Sequence, residues 1–144
     1  MTPYVESLMK TLTLSLNRAA FDQVLAGTRK HECRDIFPEN QRRFIRYVLN
    51  GKSYVSLEEM PSEEEEAGEV DVVPVKYDCI KFLTGSSSAG PRPFLTVEVL
   101  DAEVIFLTNE EGEDLVIVDD ETGIAFLAMQ VEYTLGKIIG RNDI

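Results

Sequence analysis

The sequence is poor in cysteine and histidine, the residues that most often bind zinc. Among its 144 residues it has two cysteines, Cys33 and Cys79, and one histidine, His31. A structural zinc site needs four closely spaced ligands, which two isolated cysteines do not supply. We therefore expect no metal ion, and no pattern in the sequence indicates a cofactor. Both cysteines lie in segments of alternating apolar residues, which predicts that both are small buried residues of a protein from a reducing compartment.

Long apolar runs are also missing. No segment approaches the roughly 20 apolar residues that a membrane-spanning helix needs. The N-terminal segment lacks the basic stretch and the following apolar stretch of a secretory leader. We therefore expect a cytoplasmic protein with no membrane partner. A length of 144 residues is typical of a single domain, which would cover residues 1–144.

Basic residues are scarce as well. The chain has 14 Lys+Arg against 26 Asp+Glu, a net charge of −12, which argues against binding to the phosphate backbone of duplex DNA. Residues 1–52 carry 9 Lys+Arg and 5 Asp+Glu, a balance of +4, whereas residues 53–144 carry 5 and 21, a balance of −16. The basic first third could hold a local anion site, and a requirement for solubility explains the same distribution equally well.

The first regular pattern in the chain is an alternation of polar and apolar residues from 11 to 16, which predicts a half-buried strand. Asn17 follows as a suitable N-cap. Apolar residues then recur at helical spacing, and Gly27 stands where a glycine commonly ends a helix. We predict a short helix over residues 18–26.

The next segment, residues 28–35, is predicted to be a second strand, in which side chains alternate between two faces. One face carries three charged residues, Lys30, Glu32 and Arg34. The other face carries His31 and Cys33, and we expect it to face the core.

A second helix is predicted to begin at Pro38, a residue typical of the first helical turn, and to end at Asn50-Gly51. One stripe of this helix is apolar and consists of Phe44, Ile45, Val48 and Leu49. Another face carries three arginines, Arg42, Arg43 and Arg46. These arginines form either a solvated helix face or a positive rim beside a binding cleft.

Residues 61–71, PSEEEEAGEVD, form a strongly acidic stretch. Adjacent glutamates repel one another and bury no apolar surface, so we predict a solvated acidic loop at about residues 57–72. The stretch lacks the alternating ligands and the glycine of a calcium-binding loop.

The second half of the sequence is predicted to consist of short strands separated by turns. The strands cover residues 77–83, 94–100, 104–107, 115–118 and about 124–135. A connector rich in glycine and serine is predicted over residues 85–91. Early helices followed by closely spaced strands predict an α+β fold, with a curved sheet or small barrel and helices at its ends.

The best candidate for a site lies directly after Gly27. Arg29, Lys30, Glu32 and Arg34 place three cations and one carboxylate within six residues. This alternation of charge can form a ladder of ion pairs that contributes little to stability. It can equally recognise an anionic or planar group, with arginine binding the anion and glutamate accepting from an amino group.

The same segment resembles the signature of ASCH domains, a branch of the PUA-like superfamily. That signature is G-x-K-x-x-E-x-R after a strand and a short helix, and this chain has Gly27-Thr28-Arg29-Lys30-His31-Glu32-Cys33-Arg34. The preceding strand and helix, residues 77–82 and residues 134–139 follow the order of the family. The resemblance implies a small mixed or antiparallel PUA-like β-barrel with short helices at its ends.

The resemblance also implies a function in binding RNA or a modified nucleoside, with Arg29, Lys30, Glu32 and Arg34 as the ligand-binding residues. Because the remainder of the chain is acidic, a nucleoside or a short single strand is favoured over a duplex. One alternative is hydrolysis of RNA or of an N4-acylated cytidine, in which Lys30 and Glu32 would be the catalytic residues. Another is a protein-interaction module that uses the acidic half.

The chain departs from the family pattern at two positions. Arg29 occupies the position of the signature lysine, and arginine stays protonated, so it does not serve as a general base. Small hydrolases of the family have a threonine at the position of Glu32. Both departures weigh against the hydrolase alternative.

Overall fold

The computed structural model describes residues 9–61, 68–85 and 90–142. Strands dominate this part of the chain and the helices are short, which confirms the predicted α+β class. The helices are α1 (Arg18–Leu25), α2 (Gln41–Phe44) and a 3-10 helix at Leu57–Glu59. The strands are β1 (Thr11–Ser15), β2 (His31–Ile36), β3 (Ile45–Leu49), β4 (Lys52–Tyr54), β5 (Val70–Pro74), β6 (Cys79–Leu83), β7 (Phe94–Phe106), β8 (Val116–Val118), β9 (Ala125–Leu127) and β10 (Met129–Asn142).

The described strands form three sheets, with the orders β1-β6-β7-β10-β2, β4-β3-β5 and β8-β9. The chain divides into two compact units. The first unit comprises Met1–Glu32, Lys76–Ala102 and Tyr133–Ile144, and the second comprises Cys33–Val75 and Glu103–Glu132. Within residues 9–61, 68–85 and 90–142, no helix has both the length and the apolar character needed to cross a membrane.

The first unit is built on strands β1, β6 and β7. Strand β1 is parallel to β6, with Thr11 opposite Cys79, and β6 is antiparallel to β7, with Lys81 opposite Thr96. Every second residue of β1 is buried, which confirms the alternation that predicted this strand. The buried side chains of the three strands on this core face are Leu12, Leu14, Ile80, Phe82, Leu95 and Val97.

Helix α1 follows β1 as predicted. The side chain of Asn17 accepts a hydrogen bond from the backbone N–H of Ala20 at 2.8 Å, which is the expected N-cap. Phe21 and Val24 bury the apolar side of the helix. Gly27 directly follows the end of the helix with a φ of 78°, a conformation that costs glycine no steric clash.

In the second unit, the prediction of a long second helix from Pro38 to Asn50-Gly51 is wrong. Only Gln41–Phe44 is helical, and the chain then continues as strand β3 between β4 and β5. In β3 the buried residues alternate as Ile45, Tyr47 and Leu49. The β-branched and aromatic residues of this segment pack well on a pleated surface, and pairing with strands on both sides stabilises the extended form.

The structure describes the predicted acidic loop, at about residues 57–72, only at its two ends. Residues 62–67, which hold the run of glutamates, lie outside the described residues. On either side of them, Leu57–Glu59 forms a 3-10 helix and Val70–Pro74 forms strand β5, which is antiparallel to β3. Residues 70–72 were therefore wrongly included in the loop.

The remaining strands differ from the prediction mainly in their limits. Residues 94–106 form the single strand β7, where two strands were predicted. The last predicted strand is divided at Ala128 between β9 and β10, and β10 extends to Asn142. The predicted connector at 85–91 includes residues 86–89, which lie outside the described residues.

Candidate functional site

Strand β2 presents the face opposite to the one expected. Glu32, at 3% exposure, and Ile36 are buried, and Arg34 between them is half-buried. His31 and Cys33 are exposed, so the prediction that this pair faces the core is wrong, as is the burial predicted for Cys33. Cys79 is buried as predicted, and both thiols are free.

The reversal has a physical reason in the pairing of Glu32 with Arg29. Arg29 Nε donates to Glu32 Oε2 at 3.2 Å, and Arg29 Nη2 donates to Glu32 Oε1 at 3.4 Å. The planar guanidinium matches the two carboxylate oxygens, which reduces the cost of burying the charge. The charged residue thus occupies the inward position, and the sequence pattern alone did not indicate this.

The turn after α1 positions Arg29. The backbone N–H groups of Thr28 and Arg29 both donate to the carbonyl of Gln23, at 3.0 and 3.1 Å. Arg29 Nη1 also donates to the side-chain oxygen of Gln23 at 3.4 Å. The carbonyl of Lys30 accepts from the N–H of Leu135 at 2.8 Å, which fixes the entry into β2. The end of one helix and the start of one strand therefore hold the Arg29–Glu32 pair.

The structure brings Arg29 and Glu32 of the predicted site together. Arg29 and Glu32 form an ion pair within the first unit, with side-chain exposures of 32% and 3%. Lys30 is exposed and lies just before β2 rather than within it. Arg34 lies two residues beyond Glu32 and belongs to the second unit.

The arginine cluster of the predicted second helix is not a helix face. Arg42 and Arg43 are exposed in α2, and the guanidinium of Arg43 lies 5.4 Å from the centre of the Phe44 ring. Arg46 lies in β3 and donates to the backbone carbonyls of Arg42 and Ile45. Arg46 therefore caps local backbone groups instead of extending a positive rim.

A cleft in the first unit was missed by the sequence analysis. This β6 cleft has a volume of about 280 Å³, and its lining includes Thr11, Cys79, Lys81, Phe94, Thr96 and Arg141. The residues contributed by β1, β6 and β7 alternate with the buried core residues of the same strands. Alternation could have placed Thr11 and Lys81 on this face, but pairing between strands distant in sequence was needed to bring them together.

A second cleft, of about 220 Å³, lies in the second unit and is lined mainly by apolar side chains such as Ile36, Phe37 and Met129. Arg29, Lys30, Glu32 and Arg34 line neither of these two clefts. The Arg29–Glu32 pair is therefore a positioned charge pair rather than part of either cleft.

The pKa values of Tyr47 and Asp119 depart from their ordinary values. Burial raises the pKa of the Tyr47 phenol, whose hydroxyl lies 2.8 Å from the side-chain oxygen of Gln41. The backbone N–H groups of Thr122 and Glu121 donate to the Asp119 carboxylate and lower its pKa. Both groups lie in the second unit. Asp119 accepts hydrogen bonds within a local turn, and Tyr47 is a buried residue of β3.

Within residues 9–61, 68–85 and 90–142, no three His, Cys, Asp or Glu side chains cluster in a way that could hold a metal ion. Comparisons of the chain with protein-family models, with curated proteins and with solved structures found no match.

Proposed function

We propose that this chain is an ASCH-like domain, with a barrel of the PUA-like type, that binds a modified nucleoside or a short single-stranded RNA. The observation that carries the proposal is the Glu32 carboxylate, 3% exposed and held by the Arg29 guanidinium through two hydrogen bonds. Both residues lie in a segment whose order of strand, short helix, glycine and strand is similar to that of the family.

The chemistry of this pair suits a nucleobase. A carboxylate accepts hydrogen bonds from an exocyclic amine or from a sugar hydroxyl. A guanidinium binds the edge of a base or a phosphate with two parallel donors. Replacing a buried ion pair with apolar residues is often neutral or stabilising, so stability alone is a weak reason to have one here. A role in ligand recognition supplies a stronger reason.

Binding is favoured over hydrolysis at this site. The hydrolase alternative needs an amine base, and Lys30 is the lysine nearest to Glu32 in the sequence. A lysine works as a base or nucleophile when it is enclosed in an apolar pocket or placed beside another cation. Lys30 is exposed, and the residue that lies beside Glu32 is Arg29, an arginine rather than the lysine that this chemistry needs.

The test is a titration of the purified protein by calorimetry with cytidine, N4-acetylcytidine and a short single-stranded RNA. We expect at least one of these ligands to bind, and we expect Glu32→Gln and Arg34→Ala to weaken its affinity by about tenfold or more, as loss of a charge-assisted hydrogen bond does. Arg18→Ala is the matched control, since Arg18 is an exposed arginine of α1 that pairs with Asp22. It should leave the affinity unchanged.

The outcomes of this titration are distinct. Binding that Glu32→Gln abolishes and Arg18→Ala leaves intact supports the proposal. If all three variants bind the ligand as tightly as the wild type, the binding site lies away from this strand. Absence of binding by every nucleoside and RNA contradicts the proposal, provided that circular dichroism shows the protein to be folded.

A second candidate function, protein interaction through the acidic half, is favoured by the surface of the second unit. The segment 109–127 includes the antiparallel strands β8 and β9 and forms an acidic hairpin. It has 7 Asp+Glu and no Lys or Arg. It also exposes large aliphatic side chains, at fractions between 37% and 58%: Leu115, Val116, Ile117, Val118, Ile124 and Leu127. Apolar side chains surrounded by carboxylates are suited to a partner segment that is both basic and apolar.

Fluorescence anisotropy with a labelled peptide of alternating lysine and leucine tests this candidate. We expect binding that weakens with salt, because the attraction is partly electrostatic. A peptide of alternating glutamate and leucine should not bind. The double variant Val116→Ser/Val118→Ser should weaken binding, whereas Val70→Ser, at another exposed valine on β5, should not. Equal binding of both peptides would contradict this candidate.

A further inference from the structure

We propose that the β6 cleft of the first unit is a binding site for a small oxyanion, the phosphate or carboxylate group of a compact ligand. The site is separate from the Arg29–Glu32 pair, neither residue of which lines the cleft. The inference therefore does not depend on the proposed nucleoside-binding function.

The cations of the cleft favour an anion. Lys81 Nζ lies 4.5 Å from the centre of the Phe94 ring, which holds the ammonium at one position over the aromatic face. Among the described residues, no carboxylate forms an ion pair with Lys81. Arg141 lines the same cleft.

The acidic residue that the sheet register places closest is directed elsewhere. Glu98 on β7 is opposite Cys79 on β6 and so shares a sheet face with the cleft. Its carboxylate oxygen lies over Gly136, 2.5 Å from the position that a Cβ would occupy there. The absence of a side chain at Gly136 thus gives the Glu98 carboxylate room outside the lining of the cleft. None of the described residues that line the cleft is acidic.

The cleft also has hydroxyl donors and an open floor. The hydroxyls of Thr11 and Thr96 can donate to an oxyanion, and Thr11 Oγ1 lies 3.2 Å from the thiol of Cys79. At Gly140 a Cβ would lie 3.4 Å from Cβ of Thr96 and 3.5 Å from its hydroxyl oxygen. An alanine would therefore fit, but it would occupy space that a ligand group can use beside Thr96.

The size of the cleft limits the ligand. Pockets for drug-sized ligands are commonly about 300–1,000 Å³, and this cleft, at about 280 Å³, lies just below that range. It has room for an oxyanion with at most a small ring, beside the half-buried side chain of Phe94. A polymeric ligand could fit only a terminal phosphate into this cleft.

The test is NMR titration of the full chain with three probes: inorganic phosphate, phenyl phosphate and benzoate. We expect backbone amide shifts at Lys81, Thr96 and Gly140 with at least one probe. Stronger binding of phenyl phosphate than of inorganic phosphate would identify a ligand that carries a ring. Stronger binding of benzoate than of either phosphate would identify a carboxylate ligand.

Three variants complete the experiment. Lys81→Gln should weaken binding by about tenfold or more through loss of the charge, and Gly140→Ala should weaken it by about threefold or more by filling the floor. Lys137→Gln is the matched control, since Lys137 is an exposed lysine on β10 outside the lining. Shifts that map outside the cleft, shifts that persist in full in Lys81→Gln, or no shift with any probe would overturn the proposal. Unchanged amide dispersion in the variants shows that they remain folded.

Discussion

Glu32 and Arg29 form a partly buried ion pair whose two members differ in exposure, since the glutamate is 3% and the arginine 32% exposed. Removing the arginine takes away the guanidinium that donates to both oxygens of the buried carboxylate, and a buried charge that loses hydrogen-bond donors is costly. Removing the charge of the glutamate leaves an arginine that can reach water. The two single substitutions should therefore have unequal effects.

We expect Arg29→Ala to lower the free energy of unfolding by about 1–3 kcal/mol, and Glu32→Gln to lower it by about 1 kcal/mol or less. The double variant Arg29→Met/Glu32→Leu should lie within about 1 kcal/mol of the wild type. Urea denaturation of the four proteins measures these differences. A double variant as unstable as Arg29→Ala would show that the pair is needed for folding rather than for recognition.

Asp119 provides a prediction on pH. Its pKa is lowered from the ordinary value of 3.8 by hydrogen bonds from Thr122 and Glu121, so the folded state binds protons more weakly than the unfolded state. The stabilisation is fully present above about pH 5 and is lost as the pH falls below 4 through the lowered pKa. Asp119→Asn should be less stable than the wild type at pH 7, and the difference should shrink toward pH 2.

Thermal melts between pH 7 and pH 2 measure the effect. Asp120→Asn changes the neighbouring exposed aspartate and is the matched control, for which no such narrowing is expected. A difference between Asp119→Asn and the wild type that stays constant with pH would show that the side-chain oxygen, and not its charge, stabilises the turn.

At the scale of residues, the sequence predicted the position of the charged cluster but not the direction of its side chains. The cluster Arg29–Arg34 was visible as a pattern of charge, but the direction of each side chain was not. Charged residues are usually exposed, which led to the expectation that Glu32 faces outward and Cys33 inward. The ion pair with Arg29 reverses this preference, and it depends on the turn that brings Arg29 back over the strand.

At the scale of elements, β1 and α1 were predictable because local signals agree. Strict alternation, an N-cap and a following glycine all indicate the same limits. Residues 44–49 carry a conflicting signal, since Phe44, Ile45, Val48 and Leu49 fit a helical stripe while Ile45, Tyr47 and Leu49 fit a strand. Pairing with β4 and β5 decides for the strand, and sequence periodicity does not contain that information.

The turn from α1 to β2 depends on the backbone conformation of Gly27. A Cβ at this position would lie 3.9 Å from Lys30 Nζ, which is ordinary contact. A substitution should therefore act through the φ of 78° and not through a clash. We expect Gly27→Ala to cost about 1–2 kcal/mol in urea denaturation. Gly27→Asn should cost less, because asparagine tolerates this conformation better, and equal costs would indicate a steric effect of the added Cβ instead.

At the scale of the whole molecule, the net charge of −12 dominates. Like charges repel in the compact state, and salt screens this repulsion. Raising sodium chloride from about 10 mM to about 150 mM shortens the screening length from about 30 Å to about 8 Å. We expect the melting temperature to rise by about 2–4 °C, which corresponds to a gain of up to about 1 kcal/mol.

Choline chloride at the same ionic strength is the control for a specific effect of sodium ions, and it should give the same rise. A melting temperature that falls with salt would show that attractive ion pairs outweigh the repulsion. This prediction depends only on the net charge, so it follows from the sequence without any knowledge of the fold.

The parallel pairing of β1 with β6 joins Thr11 to Cys79, residues 68 positions apart. On the ribosome, β1 is complete long before its partner has been synthesised. At about 5–20 residues per second, the delay is about 3–14 s. During that time Leu12 and Leu14, both buried in the finished sheet, have no strand to cover them. The nascent chain thus presents an early hydrophobic segment of the kind that chaperones bind, and β1 is incorporated into the sheet only after β6 has been made.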